Sequence, residues 1–330
     1  MAPHLTSHPG ISHLTFIGSR PVAHAVAASA AKALTPLCIE LGGKDAAIVL
    51  DDVADSSSEL QRVANILMRG VFQSSGQNCI GIERVICLPR VYDLLIMRLT
   101  PLIHNLRVGS ALDDEDVDVG ACISSAGFDR LEGLIEDAVA HGAKLLVGGK
   151  RYQHPKHPQG HYFSPTLLVD VTADMRIAQT EVFAPVFLMM RAESVSDAID
   201  LTNGTEYGLG CSVFGSDMQA VNRIVDGVKV GMVSVNDFAV YYAVQLPFGG
   251  VRGSGYGRFA GEEGLRGLCN TKAVCRDRFP ALLKTSIPPP LCYPIENAKK
   301  AWNVCRGVVE LGYGGNLGRR VKGLRKVVGL

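Results

Sequence analysis

Residues 37–50 read LCIELGGKDAAIVL, and the reading of this stretch decides the fold. Residues 37–41 and 46–50 are short apolar runs of strand length, separated by Gly42-Gly43. Upstream, residues 14–17 form another apolar run ending at Gly18. Pro21 then suits the first turn of a helix over the Ala-rich residues 22–34. Strands alternating with helices predict an α/β sheet. Glu40 sits at a strand end beside a glycine turn, a common place for a functional group in open α/β sheets. Alone, it reads better as a solvated strand end with an ordinary turn.

The pattern continues downstream. Leu60, Val63, Ala64, Leu67 and Val71 recur at helical spacing and predict a helix over residues 57–73. Strands are predicted at residues 84–88, 144–147, 167–169, 186–190 and 230–235. Helices are predicted at 91–106, 128–141, 195–203 and about 217–225. There is no internal repeat. Residues 247–257, PFGGVRGSGYG, form a tight loop rich in glycine, the residue that adopts backbone angles others avoid. Pro280 and Pro288-Pro289-Pro290 mark a linker. Beyond it, two apolar stripes run at helical spacing. Ala298, Ala301, Trp302, Cys305, Val308 and Val309 form one, and Leu317, Val321, Leu324 and Val328 form the other, amid Arg and Lys.

Bulk properties narrow the function classes. The 330 residues suffice for about two domains, and 47% hydrophobic content permits a sizeable core. A net charge of +1 gives no reason to expect a nucleic-acid partner. The charge is uneven: residues 281–330 carry +7, leaving −6 on the preceding 280. Nine scattered cysteines, without CxxC or a Cys/His cluster, argue against a disulfide framework and against a metal site. An intracellular, cytoplasmic setting fits this usage. No signal peptide and no 18-residue apolar run is found, so no spanning helix is expected. The basic amphipathic residues 296–330 suggest peripheral contact with a membrane surface, or helices packed on protein.

Gly76-Gln77-Asn78-Cys79 follows the predicted helix and places a thiol on a short polar turn. On its own this cysteine reads better as one more small buried hydrophobe than as a catalytic group. Taken together, ELGGK and, about 40 residues later, GQNC resemble the paired motifs of NAD(P)-dependent aldehyde dehydrogenases. The resemblance continues in order. Phe16-Ile17-Gly18-Ser19 resembles the family's phosphate-binding turn, and Glu181-Val182-Phe183-Ala184-Pro185 its ExFGP motif. Asn203 with Tyr207-Gly208-Leu209 resembles NxxxYGL. Gly231 through Asn236 resembles GxVxVN, and Pro247 through Gly255 resembles PFGGxKxSG. These motifs cover residues 3 to 277.

The resemblance implies an α/β, aldehyde dehydrogenase-like fold with a partial Rossmann-like cofactor domain and a nearly complete α/β catalytic domain. It divides the chain into a dinucleotide-binding remnant (1–40), a catalytic domain (41–245), a Gly-rich loop with helix and oligomerisation strand (246–278), and a Pro linker with basic tail (279–330). It implies oxidation of a small-molecule aldehyde to the acid with NAD or NADP, in a homo-oligomer. Cys79 would be the nucleophile and Glu40 the base that deprotonates water. Gly18, Ser19, Leu41, Gly42, Glu181 and Phe183 would bind cofactor. Tyr241, Tyr242 and Phe248 are candidates for the substrate pocket, or plain core residues.

The chain departs from the family's pattern at Ala23 and Ala184, where glycine is usual. At Ala184 a positive φ would be costly. The resemblance also places Met1 inside the family's cofactor domain. Its first strands, its Pro-Trp-Asn segment with the second oxyanion donor, and its adenosine-ribose lysine would precede residue 1. A catalytically inactive remnant with a structural or membrane-surface role, and a relative that transfers the acyl group to coenzyme A, are the alternatives.

Overall fold

The computed structural model describes residues 2–112, 116–239, 243–282 and 284–328. They form two compact units, residues 1–270 and 271–330.

The strands of the first unit are β1 (Leu14–Gly18), β2 (Leu37–Leu41), β3 (Ala46–Val49), β4 (Arg84–Cys87), β5 (Lys144–Val147), β6 (Arg151–Tyr152), β7 (Tyr162–Phe163), β8 (Thr166–Val169), β9 (Val186–Arg191), β10 (Gly210–Phe214), β11 (Met232–Val235) and β12 (Gly255–Tyr256). Its helices are α1 (Ala2–Thr6), α2 (Arg20–Ala30), α3 (Ser57–Phe72), α4 (Pro89–His104), α5 (Phe128–Ala140), α6 (Arg176–Gln179), α7 (Val195–Asn203), α8 (Met218–Gly227) and α9 (Gly261–Gly267).

A seven-stranded sheet in the order β11-β10-β3-β4-β9-β8-β5 forms the body. All its neighbours are parallel except β5, which runs antiparallel to β8. Buried parallel strands read as continuous apolar runs, and β3 is buried at all four positions. Its side chains alternate between faces. Ala46 and Ile48 join a core with residues of α5, α7 and α8, while Ala47 and Val49 join one with residues of α3 and α4. Helix α3 starts where the Ser56 hydroxyl accepts from the Glu59 amide, and its buried face is Leu60, Val63, Ala64, Leu67 and Val71.

A smaller sheet, β1-β2-β12, stands beside it, with β1 parallel and β12 antiparallel to β2. Strand β1 is an edge strand, and Ile17 is 59% exposed. The loop from β2 to β3 is the Gly42-Gly43 turn, so residues 37–50 join the two sheets.

Three features depart from the sequence reading. Strand β10, between β11 and β3 in the large sheet, was not expected, because Gly210, Cys211 and Ser212 carry little β-branched or aromatic signal. The positive φ anticipated at Ala184 falls instead on Phe183, at 49°. Residues 271–275, the expected oligomerisation strand, form no ladder among the described residues.

The second unit contains α10 (Ala298–Tyr313) and α11 (Leu317–Val328), packed on each other. Glycines set the separation: a Cβ on Gly323 would lie 2.7 Å from the Gly307 carbonyl oxygen. Ala301 and Val304 are buried. Glu310 joins the helices, meeting Arg306 at 2.8 Å and Lys326 at 2.6 Å. Trp302, Val309, Leu317, Leu324 and Val328 remain exposed.

Candidate active site

Glu40 lies near the end of β2, registered against Ile17 of β1 and Gly255 of β12. Only 1% of its surface is exposed, and its Oε1 has no hydrogen-bond partner. Burial raises its pKa, and a contact with the Cys79 thiol partly offsets that rise. A buried carboxyl with a spare oxygen beside a thiol suits a proton acceptor better than a structural anchor.

Cys79 follows α3 on a strained turn. Ser74, Ser75 and Gly76 take φ values of 55°, 58° and 71° in succession. Such angles persist only where the surroundings enforce them. Here the Ser75 hydroxyl donates to the Gly120 carbonyl at 2.9 Å, and the Gln77 side-chain oxygen accepts from the Ile123 amide at 2.8 Å. A Cβ on Gly76 would collide with the Ala184 carbonyl, so this turn packs directly on the 181–185 segment. Cys79 itself is half-buried, whereas Cys38, Cys87, Cys122 and Cys211 are buried. Its pKa is pushed up to about 12, by burial first and then by the charge and contact of Glu40, against a lowering by the Ile80 amide. The thiol therefore rests protonated, and becoming a nucleophile requires handing its proton to a base.

Glu181 lies across the Gly42-Gly43 turn, where a Cβ on Gly42 would collide with its carboxylate. Its pKa is raised to about 7, mainly by burial and then by the charge of Glu83, with Lys44 and the Gly43 amide opposing. Beneath it runs a buried ion pair, Lys44 Nζ to Glu83 Oε2 at 2.6 Å, with side chains 0% and 8% exposed. Glu83 also accepts from the Val182 amide at 3.1 Å and the Phe183 amide at 2.9 Å. The Phe183 ring remains 39% exposed, a large apolar surface available for stacking.

A cavity of about 230 Å³ is lined by Ser19, Arg20, Leu41, Gly42, Arg130 and Glu181, among others. Ser19 is the N-cap of α2 and makes no side-chain capping bond, and with Arg20 and Pro21 it lines the cavity, so the N-terminus of an 11-residue helix borders it. A helix N-terminus favours a phosphate. Of the residues expected to hold a dinucleotide, Ser19, Leu41, Gly42 and Glu181 come together at this cavity, where a phosphate would fit beside the helix N-terminus; Gly18 and Phe183 are not among its lining residues.

A second cavity, of about 490 Å³, is lined by Asn65, Ile66, Arg69, Gln73, Asp237, Phe238 and Ala239. Phe238 and Ala239 also belong to or pack on the apolar cluster against which Cys79 packs, although Cys79 itself does not line the cavity. Phe248 is buried in that cluster with its ring 4.8 Å from Phe259, a core position that does not line this cavity. Tyr241 and Tyr242 lie outside the described residues. Sequence reasoning missed Glu83, Gly76 and Phe238. Only Gly76 carried a signal, as the first residue of the thiol-bearing motif.

The sequence profile of the aldehyde dehydrogenase family matches residues 1–274. An aldehyde dehydrogenase-like protein of Schizosaccharomyces pombe is 56% identical over 314 residues, 95% of this chain and 59% of that protein. Another, of Saccharomyces cerevisiae, is 54% identical over 326 residues, 98% of this chain and 50% of that protein. Among solved structures, betaine aldehyde dehydrogenase of Staphylococcus aureus in complex with NAD+ aligns with a TM-score of 0.74 at 31% identity, over 81% of this chain and 52% of that one. The chain thus spans between half and three-fifths of the length of these relatives.

Proposed function

This chain belongs to the aldehyde dehydrogenase family, and on that footing we propose that it oxidises an aldehyde to the carboxylic acid with NAD+ or NADP+, through a thiohemiacetal and then a thioester on Cys79. The observation that carries this reading is the pairing of the half-buried Cys79 thiol with the buried Glu40 carboxyl, whose free oxygen makes it a proton acceptor.

In the proposed sequence Glu40 takes the thiol proton as Cys79 Sγ bonds the aldehyde carbon. The backbone amide of Cys79 donates to the oxyanion. When bound, the nicotinamide supplies the hydride acceptor. Glu40 releases the thiol proton to solvent, then deprotonates a water that attacks the thioester carbonyl; the acid departs and Glu40 returns that proton to the Cys79 thiolate. The raised pKa of Glu40 makes it a stronger base than an exposed carboxylate. Aldehyde-dependent reduction of NAD(P)+ tests the reading. We expect turnover that Cys79→Ala abolishes while NAD(P)+ binding survives; equal turnover in the variant would refute it.

We also propose a cytoplasmic protein held peripherally on anionic lipid by residues 296–330. Eight of the tail's nine basic residues flank its apolar stripes, and Trp302 is 70% exposed. Among the described residues no helix is long and apolar enough to cross a membrane. Charge attraction of this kind weakens with salt. Vesicle co-sedimentation should show binding to anionic and not neutral vesicles at low salt, with a Trp302 fluorescence shift. Equal recovery with both, and unchanged fluorescence, would eliminate this role. Assembly into a homo-oligomer, with residues 271–275 pairing across subunits, is tested by light scattering; a monomeric mass would contradict it.

A further inference from the structure

The segment from Gly76 to Glu83 touches the 181–185 turn at both of its ends. Gly76 packs on the Ala184 carbonyl, and Glu83 accepts from the amides of Val182 and Phe183. Cys79 lies between these two contacts. Between them on the facing turn lies Phe183, whose left-handed φ of 49° is unfavourable for a bulky side chain. Such a conformation persists when its surroundings over-determine it. The amide bond from Phe183 to Glu83, at 2.9 Å, is one such constraint, and Lys44 fixes the acceptor in turn.

Glu83 is not positioned as a participant in proton transfer. Both its oxygens are engaged, one by the Phe183 and Val182 amides and the other by Lys44 and Val182. Arg84, beside it, is spent on backbone carbonyls of Lys44, Leu201 and Thr202. The groups of this neighbourhood therefore divide by role. Glu40 keeps an oxygen free for chemistry, while Glu83 has its acceptors committed to backbone.

We propose that Glu83 is the positioning residue of the cofactor side of the site: locked by Lys44, it holds the Val182–Phe183 backbone so that Glu181 and the Phe183 ring are presented to the nicotinamide end of the dinucleotide. The proposal rests on the aldehyde dehydrogenase reading of Glu181 and Phe183. It also explains why a nucleophile turn and a cofactor turn about 100 residues apart in sequence share one support, since the hydride step requires their registration.

Removing Glu83 alone would leave Lys44 buried without a counter-charge, which destabilises by itself. The test therefore compares two charge-neutral double variants in the full chain, Lys44→Met with Glu83→Gln and Lys44→Met with Glu83→Val. Glutamine keeps an acceptor for the two amides and valine does not. Calorimetric titration with NAD+ and with NADP+ is the first readout, and amide exchange of Val182 and Phe183 the second. The valine double is expected to bind the preferred dinucleotide at least tenfold more weakly than the glutamine double. Its two amides should exchange faster, and its aldehyde KM at saturating cofactor should stay within threefold. Affinities within twofold of each other in the two doubles would overturn the proposal. Should the unmutated chain bind neither dinucleotide, the cofactor reading itself falls and the proposal with it, a failure visible before any substitution is made.

Discussion

Glu181→Gln should stabilise the first unit of this protein, and the gain should depend on pH. The Glu181 carboxyl is largely buried, sits near the Glu83 charge, and has its pKa raised from the ordinary 4.5 to about 7. A raised carboxyl pKa means that the folded state holds a proton the unfolded chain has released. Its stabilising effect is complete below about pH 4.5, falls as pH rises from there to about 7, and is gone above that. The difference corresponds to about 3 kcal/mol for keeping the carboxylate ionised in the fold above neutrality. Glutamine has nearly the same shape and no charge, so at pH 8 the variant should gain on the order of 3 kcal/mol, and at pH 5.5 only about 1 kcal/mol. The single tryptophan, Trp302, lies in the second unit. Far-ultraviolet circular dichroism during urea unfolding is therefore the suitable assay. An equal gain at both pH values, or a loss at pH 8, would refute this account of the site's electrostatics. Dinucleotide affinity should fall in the same variant, because a group that destabilises the fold is retained for what it binds.

Two further substitutions follow from the geometry. Gly76→Ala should cost roughly 2 kcal/mol or more, combining a left-handed φ with a collision against the Ala184 carbonyl. A thermal melt beside Gly127→Ala, where nothing lies within 4 Å of the added carbon, checks it, and equal melting temperatures would contradict it. The acid limb of the pH–rate profile should lie above the ordinary carboxylate range, because burial raises the pKa of Glu40. Rate should rise with pH through that limb as Glu40 loses its proton, and a limb near pH 4 would show that another group controls it.

Much of the site was legible in the sequence because its signals are local. Glu40 with Gly42-Gly43 and Cys79 with Gly76 fall in short motifs, and their ordered pairing along the chain, not either one alone, pointed to the site. The helices came out within a residue or two where apolar spacing was regular, as in α3. Glu83 was invisible for the opposite reason. It is one acid before an apolar strand, and its partners lie at Lys44 and at Val182–Phe183, far away in the chain. Strand β10 was missed because Gly210, Cys211 and Ser212 owe their strand geometry to the neighbours β3 and β11. The tail's stripes were readable, but the close contact of Gly307 with Gly323 that packs α10 on α11 was not.

The claim that Cys79 carries the acyl group and Glu40 releases it can be tested on a single protein, Glu40→Gln. Without that base the thiol ionises slowly, so with aldehyde and NAD(P)+ the variant should form NAD(P)H slowly, to no more than one equivalent of protein, and stall as a thioester. Peptide mass spectrometry should then find the acyl mass on the Cys79 peptide, in proportion to the NAD(P)H formed. NAD(P)H formed without that adduct, or an adduct on any other cysteine, would contradict the account.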